Sequence, residues 1–259
     1  MIPLDIIKNY YPPYLRENAG FHKYLLKEYI LLMILDFLSS SSYVSRISFI
    51  GGTSLRLIRG IDRFSEDLDF DCKNFSENDF LDMTNDVVHF LQRSGLNAEI
   101  KENKKQLKAF RSNIIFPQLL LDLNLSKHRD EKFLIKLECQ DQLFDYKNEL
   151  VNIKGCGFYF PFPIPPVSVI CSMKIAAMLD RQKGRDFYDV IFLLSHALPD
   201  LKYLIQKSGI ADLHQLKIRV ADVIEKVELK NKVRDFEHLL FNRANAQKIL
   251  RIKELFDGF

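Results

Sequence analysis

Apolar residues recur every three or four positions over residues 18–38, with Lys23 and Lys27 between them. This spacing predicts an amphipathic helix, which a run of serines ends. A second stretch of helical spacing covers residues 80–92, and Gly95 closes it. The first half of the chain is therefore expected to contain two long helices.

Short β-prone runs alternate with these helices. The first covers residues 46–50 and stops at Gly51-Gly52, after which Thr53 or Ser54 is expected to cap a helix. Further strands are predicted at residues 67–71, 98–101, 107–116 and 132–139. The order of helices and strands predicts an α+β fold.

Glycine and proline are concentrated in residues 155–167, which makes this segment the best linker candidate. The pattern beyond it is helical over residues 167–180 and 186–196, and again toward the end. We therefore expect an amino-terminal α/β domain over residues 1–154 and a helical domain over residues 155–259.

The composition is ordinary for a globular protein, with 47% apolar and 27% charged residues. The formal net charge is only +3, and the excess lies within residues 200–259, so charge alone does not indicate a nucleic-acid partner. Four scattered cysteines predict buried thiols rather than disulfides or a zinc site. No signal peptide or apolar run of about 20 residues occurs, so we expect a cytoplasmic protein without membrane contact.

The strand that ends at Gly51-Gly52 is the first segment whose residues suggest a binding site. A glycine turn followed by a helix exposes backbone N–H groups to a phosphate, and the helix dipole favours that anion. The sequence contains neither a Walker A loop nor a GxGxxG fingerprint here. Residues 51–54 are therefore interpreted as either a phosphate cradle or a plain turn.

Acidic and apolar residues then alternate through the segment DLDFD. In a strand, Asp67, Asp69 and Asp71 project from one face, and Leu68 and Phe70 project from the other toward the core. Same-face neighbours about 7 Å apart can converge on a pair of divalent metal ions. Carboxylate oxygens suit Mg²⁺ or Mn²⁺. A polar edge strand with solvated acids is the alternative.

The strand FLIKLEC places Lys136 and Glu138 on one face. If this strand lies beside Asp67 and Asp69, Glu138 becomes a third carboxylate of the site. An exposed face of lysine and glutamate is the other interpretation.

A second charged cluster surrounds a tight turn in the helical half. Lys174 and Arg181 share a helix, Gly184 interrupts it, and Arg185 and Asp186 open the next helix. Such a cluster either binds an anion or forms a network of ion pairs between two helices.

These motifs, in this order, resemble those of the AbiEii/AbiGii nucleotidyltransferase toxins. The resemblance covers about residues 45–195 and rests on segments 51–56, 63–70, 125–138 and 174–189. It does not extend beyond about residue 200. It implies a palm like that of DNA polymerase β, with a mixed sheet flanked by helices, and a carboxy-terminal helical lobe that completes the cleft.

The resemblance also assigns roles to individual residues. It implies that Gly52 and Thr53 hold the nucleotide phosphates and that Asp67 and Asp69 bind the metals. The expected catalytic residues are Asp67, Asp69, Glu138, Lys174 and Asp186, with Asp67, Asp69 and Glu138 as metal ligands. The expected substrate-binding residues are Gly51, Gly52, Thr53, Ser54, Arg56, Lys136, Arg181 and Arg185.

Three of these assignments rest on single matching positions. Glu138 matches the acid of the family's K-h-E strand, although the superfamily often has aspartate there and the acid that often follows is deferred to Asp141. Lys174 matches a lysine that contacts the nucleotide. Asp186 matches an acid that is essential in several family members.

The residues and the resemblance together predict metal-dependent transfer of a nucleoside monophosphate from an NTP to a hydroxyl acceptor. Family members serve as toxins of toxin–antitoxin pairs, and some modify the acceptor end of tRNA. We therefore expect RNA, and tRNA in particular, as acceptor, a cognate antitoxin and a role in phage defence. Two alternatives stay open: a small-molecule or protein acceptor, and a catalytically silent nucleotide-binding module.

Overall fold

The computed structural model describes residues 3–106, 109–128 and 131–258. Arg129 and Asp130 of the third motif, and positions 107–108 of a predicted strand, lie outside the described residues. The chain divides into two compact units. The first comprises the chain up to Gly60 together with Phe64–Leu143 and Asn148–Ile164. The second comprises Ile61–Arg63, Phe144–Lys147 and the chain from Pro165 onward.

The first unit holds all the strands of the described chain. They are β1 (Ile47–Ile50), β2 (Asp67–Cys72), β3 (Glu99–Gln106), β4 (Ala109–Phe116), β5 (Phe133–Gln140), β6 (Glu149–Gly155) and β7 (Phe158–Ile164). Its helices are α1 (Leu4–Lys8), α2 (Pro13–Arg16), α3 (His22–Ser39), α4 (Gly51–Arg59), α5 (Glu77–Arg93) and α6 (Leu119–Asp122).

Among the described residues, five strands form one mixed sheet in the order β1-β2-β5-β4-β3. Strands β2 and β5 are parallel, and the remaining neighbours are antiparallel. Burial alternates strictly along β5, where Phe133, Ile135 and Leu137 are buried and the residues between them are partly exposed. The mixed sheet flanked by helices confirms the predicted fold class.

Helix α3 is more deeply buried than its predicted amphipathic pattern implies. Phe37 stacks on Phe90 of α5 at 4.7 Å between ring centroids, and Tyr29 contacts Phe158 of β7 at 5.6 Å. The helix therefore packs against a helix on one side and a hairpin strand on another. Such contacts explain why the apolar residues are not confined to one stripe.

The predicted linker at residues 155–167 needs correction, because Phe158–Ile164 forms strand β7 and pairs with β6 as a hairpin. Its buried residues alternate with the partly exposed or exposed Pro161 and Pro163. Proline lacks an N–H but is compatible with an edge strand, where that group would have no ladder partner. The division between the two units falls after Ile164, ten residues beyond the expected domain boundary.

The second unit is helical, as the sequence pattern predicts. Its helices are α7 (Val167–Arg181), α8 (Gly184–Leu194), α9 (Leu201–Ser208), α10 (Leu213–Lys226), α11 (Leu229–Arg234) and α12 (Ile252–Asp257). Helix α8 starts tightly against α11, because a Cβ on Gly184 would lie 1.9 Å from the carbonyl oxygen of Lys232. No helix in the described part of the chain is long and apolar enough to span a membrane.

Candidate active site

The candidate site begins at the turn between β1 and α4. Ile50 is extended, and Gly51 adopts φ of +81° as the first residue of α4. The expected cap by Thr53 or Ser54 is wrong, because both residues lie inside the helix. The side chain of Ile50, the N-cap residue, offers no hydrogen bond to the first turn. A helix start of this kind can present its backbone N–H groups to an anion.

The side chains of Thr53 and Ser54 are directed into the protein. Both residues are buried, and the Thr53 hydroxyl donates a hydrogen bond to the backbone carbonyl of Asp67. This bond ties the start of α4 to strand β2. A phosphate at this turn would therefore meet backbone N–H groups rather than the Thr53 hydroxyl.

Gly51 lies directly against the side chain of Asp69. A Cβ at position 51 would be 2.2 Å from Oδ2 of Asp69 and 2.8 Å from its Cβ. The positive φ also disfavours any L side chain at this position. The glycine turn and the acidic strand are thus packed as one unit, and the glycine leaves the space that the Asp69 carboxylate occupies.

We expect Gly51→Ala to reduce nucleotidyl transfer at least about a hundredfold, because the new methyl group must displace the Asp69 carboxylate or the turn, and misplacement by about 1 Å has effects of that size. Gly60→Ala is the matched control. Gly60 has φ of +72° but nothing within 4 Å of the added Cβ. It therefore carries the same backbone strain, about 1–2 kcal/mol, without the overlap. Equal activities of the two purified variants would contradict the assignment.

The acids of β2 alternate with core residues as predicted. Leu68 and Phe70 are buried, whereas Asp67 and Asp69 are half-buried. Asp71 differs from these two acids, because it is almost fully buried and its Oδ1 accepts a hydrogen bond from the backbone N–H of Gln142 at 2.8 Å. The strand therefore offers two accessible carboxylates, and its third acid has a structural contact.

Strand β5 brings the predicted third carboxylate beside these two. Its parallel register places Lys136 opposite Asp67 and Glu138 opposite Asp69. The Lys136 ammonium lies 3.1 Å from Oδ2 of Asp67 and 3.6 Å from Oε2 of Glu138. The structure thus brings together Asp67, Asp69 and Glu138, as the sequence predicts. Lys136 bridges two of these acids, Asp67 and Glu138.

Arg111 of β4 is a site residue that the sequence reasoning missed. It lies opposite Glu138 in the antiparallel register, and its Nε and Nη2 donate to Oε2 of Glu138 at 2.8 and 2.7 Å. Nothing in the local sequence marks this arginine, because its role depends on which strand pairs with β5. Arg111 and Lys136 together carry two positive charges against the single negative charge of Glu138, and Lys136 shares its charge with Asp67.

The donor set of the acidic face fits a divalent cation. Asp67 and Asp69 supply carboxylate oxygens from alternate positions of one strand, which is the ligand chemistry that Mg²⁺ and Mn²⁺ prefer. Within residues 3–106, 109–128 and 131–258, no three His, Cys, Asp or Glu side chains are already gathered as a metal cluster. Glu138 is engaged by Arg111 and Lys136, so its predicted role as a metal ligand stays a prediction.

Arg56, predicted to bind substrate, is held by a buried acid of α3. Its Nε and Nη2 donate to the two carboxylate oxygens of Glu28 at 2.8 and 3.1 Å. Glu28 is 5% exposed and occupies a position in the apolar spacing of α3. This bidentate pair fixes α4 against α3. We call the first turn of α4, residues 51–54, the glycine cradle.

In the second unit, Lys174 of α7 belongs to a buried ionic triad. Its ammonium lies 2.8 Å from Oδ2 of Asp189 on α8, and Arg63 donates to both Asp189 oxygens at 2.7 and 2.8 Å. Burial by itself raises the pKa of Asp189, but the charges and hydrogen bonds of Arg63 and Lys174 outweigh it and lower that pKa to about 2. Asp189 therefore stays ionised, and the role of Lys174 toward a nucleotide stays a prediction.

Arg181 and Asp186 form a second pair between α7 and α8. Nη2 of Arg181 donates to Oδ1 of the buried Asp186 at 2.6 Å, and the other Asp186 oxygen accepts from the backbone N–H of Lys183. Arg185 is half-buried on the same helix start. These contacts form the ion-pair network that was one interpretation of the charged cluster. The substrate and catalytic roles expected for Arg181, Arg185 and Asp186 stay predictions.

A glycine turn at a helix start, packed against a strand with two aspartates in a mixed sheet, is the arrangement that the resemblance to nucleotidyltransferases implies. The family model described as "Nucleotidyl transferase AbiEii toxin, Type IV TA system" matches residues 34–251. The chain belongs to this family of nucleotidyltransferase toxins, as the motifs of the sequence predict.

Solved structures share this fold at low sequence identity. MenT4, a nucleotidyltransferase toxin from Mycobacterium tuberculosis H37Rv, is 17% identical with a TM-score of 0.64, over 99% of this chain and 89% of its own. JHP933 from Helicobacter pylori is 20% identical with a TM-score of 0.54, over 91% of this chain and 92% of its own. No match was found among curated proteins.

Proposed function

We propose that this protein is a metal-dependent nucleotidyltransferase that transfers a nucleoside monophosphate from an NTP to a hydroxyl of RNA, with tRNA as the expected acceptor. We further propose that it acts in the cytoplasm as the toxin of a pair with a cognate antitoxin, in phage defence. The observation that carries the proposal is the packing of Gly51 against Asp69. It brings the turn that we propose to bind phosphate next to the acidic strand.

Different residues bind the triphosphate, hold the metal and position Glu138. The backbone N–H groups of residues 51–54 bind the triphosphate at the positive end of α4. Asp67 and Asp69 hold Mg²⁺ or Mn²⁺, which when bound supplies charge neutralisation at the phosphates and activation of the attacking hydroxyl. Lys136 and Arg111 hold Glu138 in place beside these acids.

The reaction exchanges a phosphoanhydride bond of the NTP for a phosphodiester bond to the acceptor. The acceptor hydroxyl oxygen forms a bond to the α-phosphorus of the NTP, and the bond from that phosphorus to the oxygen bridging the β-phosphate breaks. Pyrophosphate leaves with the bonding electron pair, and the proton of the hydroxyl passes to solvent. Lys174, Arg181 and Arg185 are proposed to contact the nucleotide or acceptor, and Asp186 is proposed to position one of these cations.

The test is incubation of the purified protein with each of four α-labelled NTPs, Mg²⁺ and total RNA, in parallel with the protein alone. We expect label on RNA, concentrated in the tRNA fraction, and no label when Mg²⁺ is replaced by EDTA. Label on the protein alone would favour a protein acceptor instead. Label on neither, with NTP binding intact by calorimetry, would favour the catalytically silent module.

A further inference from the structure

The first unit contains a cavity of about 450 Å³ that borders the acidic strand. We call it the α3 pocket, because α3 contributes Lys23, Tyr24 and Lys27 to its wall. Glu66 and Asp67 enter it from the start of β2, and Phe133 enters from the start of β5. Its volume is within the range of cavities that hold small organic ligands. It therefore provides a binding volume that reaches one of the two site aspartates.

The pocket is lined by three lysines and three acids, namely Lys23, Lys27, Lys132, Glu66, Asp67 and Glu131, so its formal charges balance. Two of these lysines form ion pairs with acids of the same wall. Nζ of Lys27 lies 2.8 Å from Oε1 of Glu66 and 5.4 Å from the centroid of the Phe133 ring. Lys23 forms an ion pair with Glu131, which also lines the pocket. A free phosphate would have to compete with these carboxylates. The wall suits a neutral ligand that both donates and accepts hydrogen bonds.

One wall of the pocket is aromatic. The Tyr24 ring stacks on Phe64 at 5.1 Å between centroids and 11° between planes, and Phe64 also contacts Phe21 at 5.3 Å. Stacking in this way holds the Tyr24 ring in one orientation. Aromatic side chains of this kind provide stacking surfaces for nucleobases of any sequence.

A nucleoside is neutral, has a planar base and is rich in hydrogen-bond donors and acceptors. We infer that the α3 pocket binds the nucleoside that carries the acceptor hydroxyl, and presents this hydroxyl toward Asp67. The inference rests on the proposed transfer reaction and adds to it a place for the acceptor. In this arrangement Tyr24 contacts the base, and the lysine–glutamate pairs contact the base edge or the ribose.

One observation favours the acceptor over the incoming NTP as the occupant. None of the described residues that line the pocket comes from the glycine cradle at residues 51–54, where the triphosphate is proposed to bind. The pocket instead borders Asp67 from the side of α3.

Binding can be measured without turnover by ¹⁹F NMR on the full chain labelled with 3-fluorotyrosine. The Tyr24 signal is assigned from the spectrum of Tyr24→Phe. Adenosine, cytidine and uridine are the probes, since they lack the phosphates that the glycine cradle would bind. We expect at least one of them to shift the Tyr24 signal saturably. We expect the same shift when a non-hydrolysable NTP analogue and Mg²⁺ are present at saturation.

Either of two other outcomes overturns the inference. A Tyr24 signal unmoved by all three nucleosides shows that the pocket does not bind them. Loss of the nucleoside-induced shift when the NTP analogue is added shows that the pocket holds the base of the NTP. Neither result depends on transfer activity, so failure of the proposed function, seen as absence of labelled RNA, is distinguishable from failure of the pocket.

Steady-state transfer to total RNA then checks the role in turnover. We expect Tyr24→Leu to raise the KM for RNA at least tenfold and to leave the KM for the NTP within twofold. Tyr24→Phe keeps the ring and should stay within threefold of wild type for both. Tyr14→Leu makes the same chemical change at a tyrosine that is 64% exposed and does not line the pocket. An RNA KM of Tyr24→Leu equal to that of this control overturns the inference.

Discussion

Asp69→Asn is expected to reduce nucleotidyl transfer by at least about a thousandfold, which corresponds to about 4 kcal/mol of lost transition-state stabilisation. Asp67→Asn is expected to have a similar effect. Asparagine keeps the size of each side chain but removes the charge that holds a divalent cation. Since both residues are half-buried and project from the site face of β2, the fold should be preserved.

The rate should be measured with saturating NTP and Mg²⁺, together with the thermal unfolding midpoint of each variant. Asp82→Asn is a suitable control, because this aspartate lies on an exposed position of α5 away from the sheet. A rate within threefold of wild type for either site variant would remove Asp67 and Asp69 from the metal-binding role. A rate loss that parallels a large fall in the midpoint would instead indicate damage to the fold.

The second large effect is expected on stability. Asp189→Asn should lower the free energy of unfolding by about 3–5 kcal/mol, since removal of one partner leaves the buried charges of Arg63 and Lys174 uncompensated. Both side chains of the Arg63–Asp189 pair are at most 2% exposed, so solvent cannot replace the lost contact. Glu254→Gln breaks an exposed pair with Arg251 and should have little effect. Chemical denaturation of the three proteins provides the comparison.

The lowered pKa of Asp189 predicts how the stability of the protein changes in acid. The folded pKa of Asp189 is about 2, below the value of about 3.9 expected in the unfolded chain. Its contribution is therefore fully present above about pH 4 and is lost as the pH falls toward 2. We expect wild type to lose stability more steeply than Asp189→Asn across this window. Parallel pH profiles for the two proteins would show that the triad does not contribute in this way.

Much of the candidate site was predictable because its residues are close together in sequence. The turn at Gly51 and the alternation of Asp67 and Asp69 with core residues are local patterns, and local patterns determine which face a side chain occupies. The order of the motifs then indicated the family. The family model over residues 34–251 confirms that part of the interpretation.

The contacts that complete the site depend on pairing between distant segments. Arg111 contacts Glu138 only because β4 is the antiparallel neighbour of β5, and a single sequence does not state which strands are neighbours. The apolar spacing of α3 likewise did not predict that Glu28 pairs with Arg56 of α4, which is what allows its burial. Charged residues of this kind are stable in the interior only when a specific partner reaches them.

Local patterns in the sequence by themselves predicted the long helices, the strands of the five-stranded sheet and the alternation of Asp67 and Asp69 with core residues, since these follow from side-chain periodicity within a few residues. They failed at residues 155–167, where prolines suggested a linker but the buried aromatic residues between them form strand β7. Only the tertiary structure decided how the charges are paired and where the α3 pocket lies. Both depend on which distant surfaces pack together, and the free energy of that packing is a property of the whole fold rather than of any local segment.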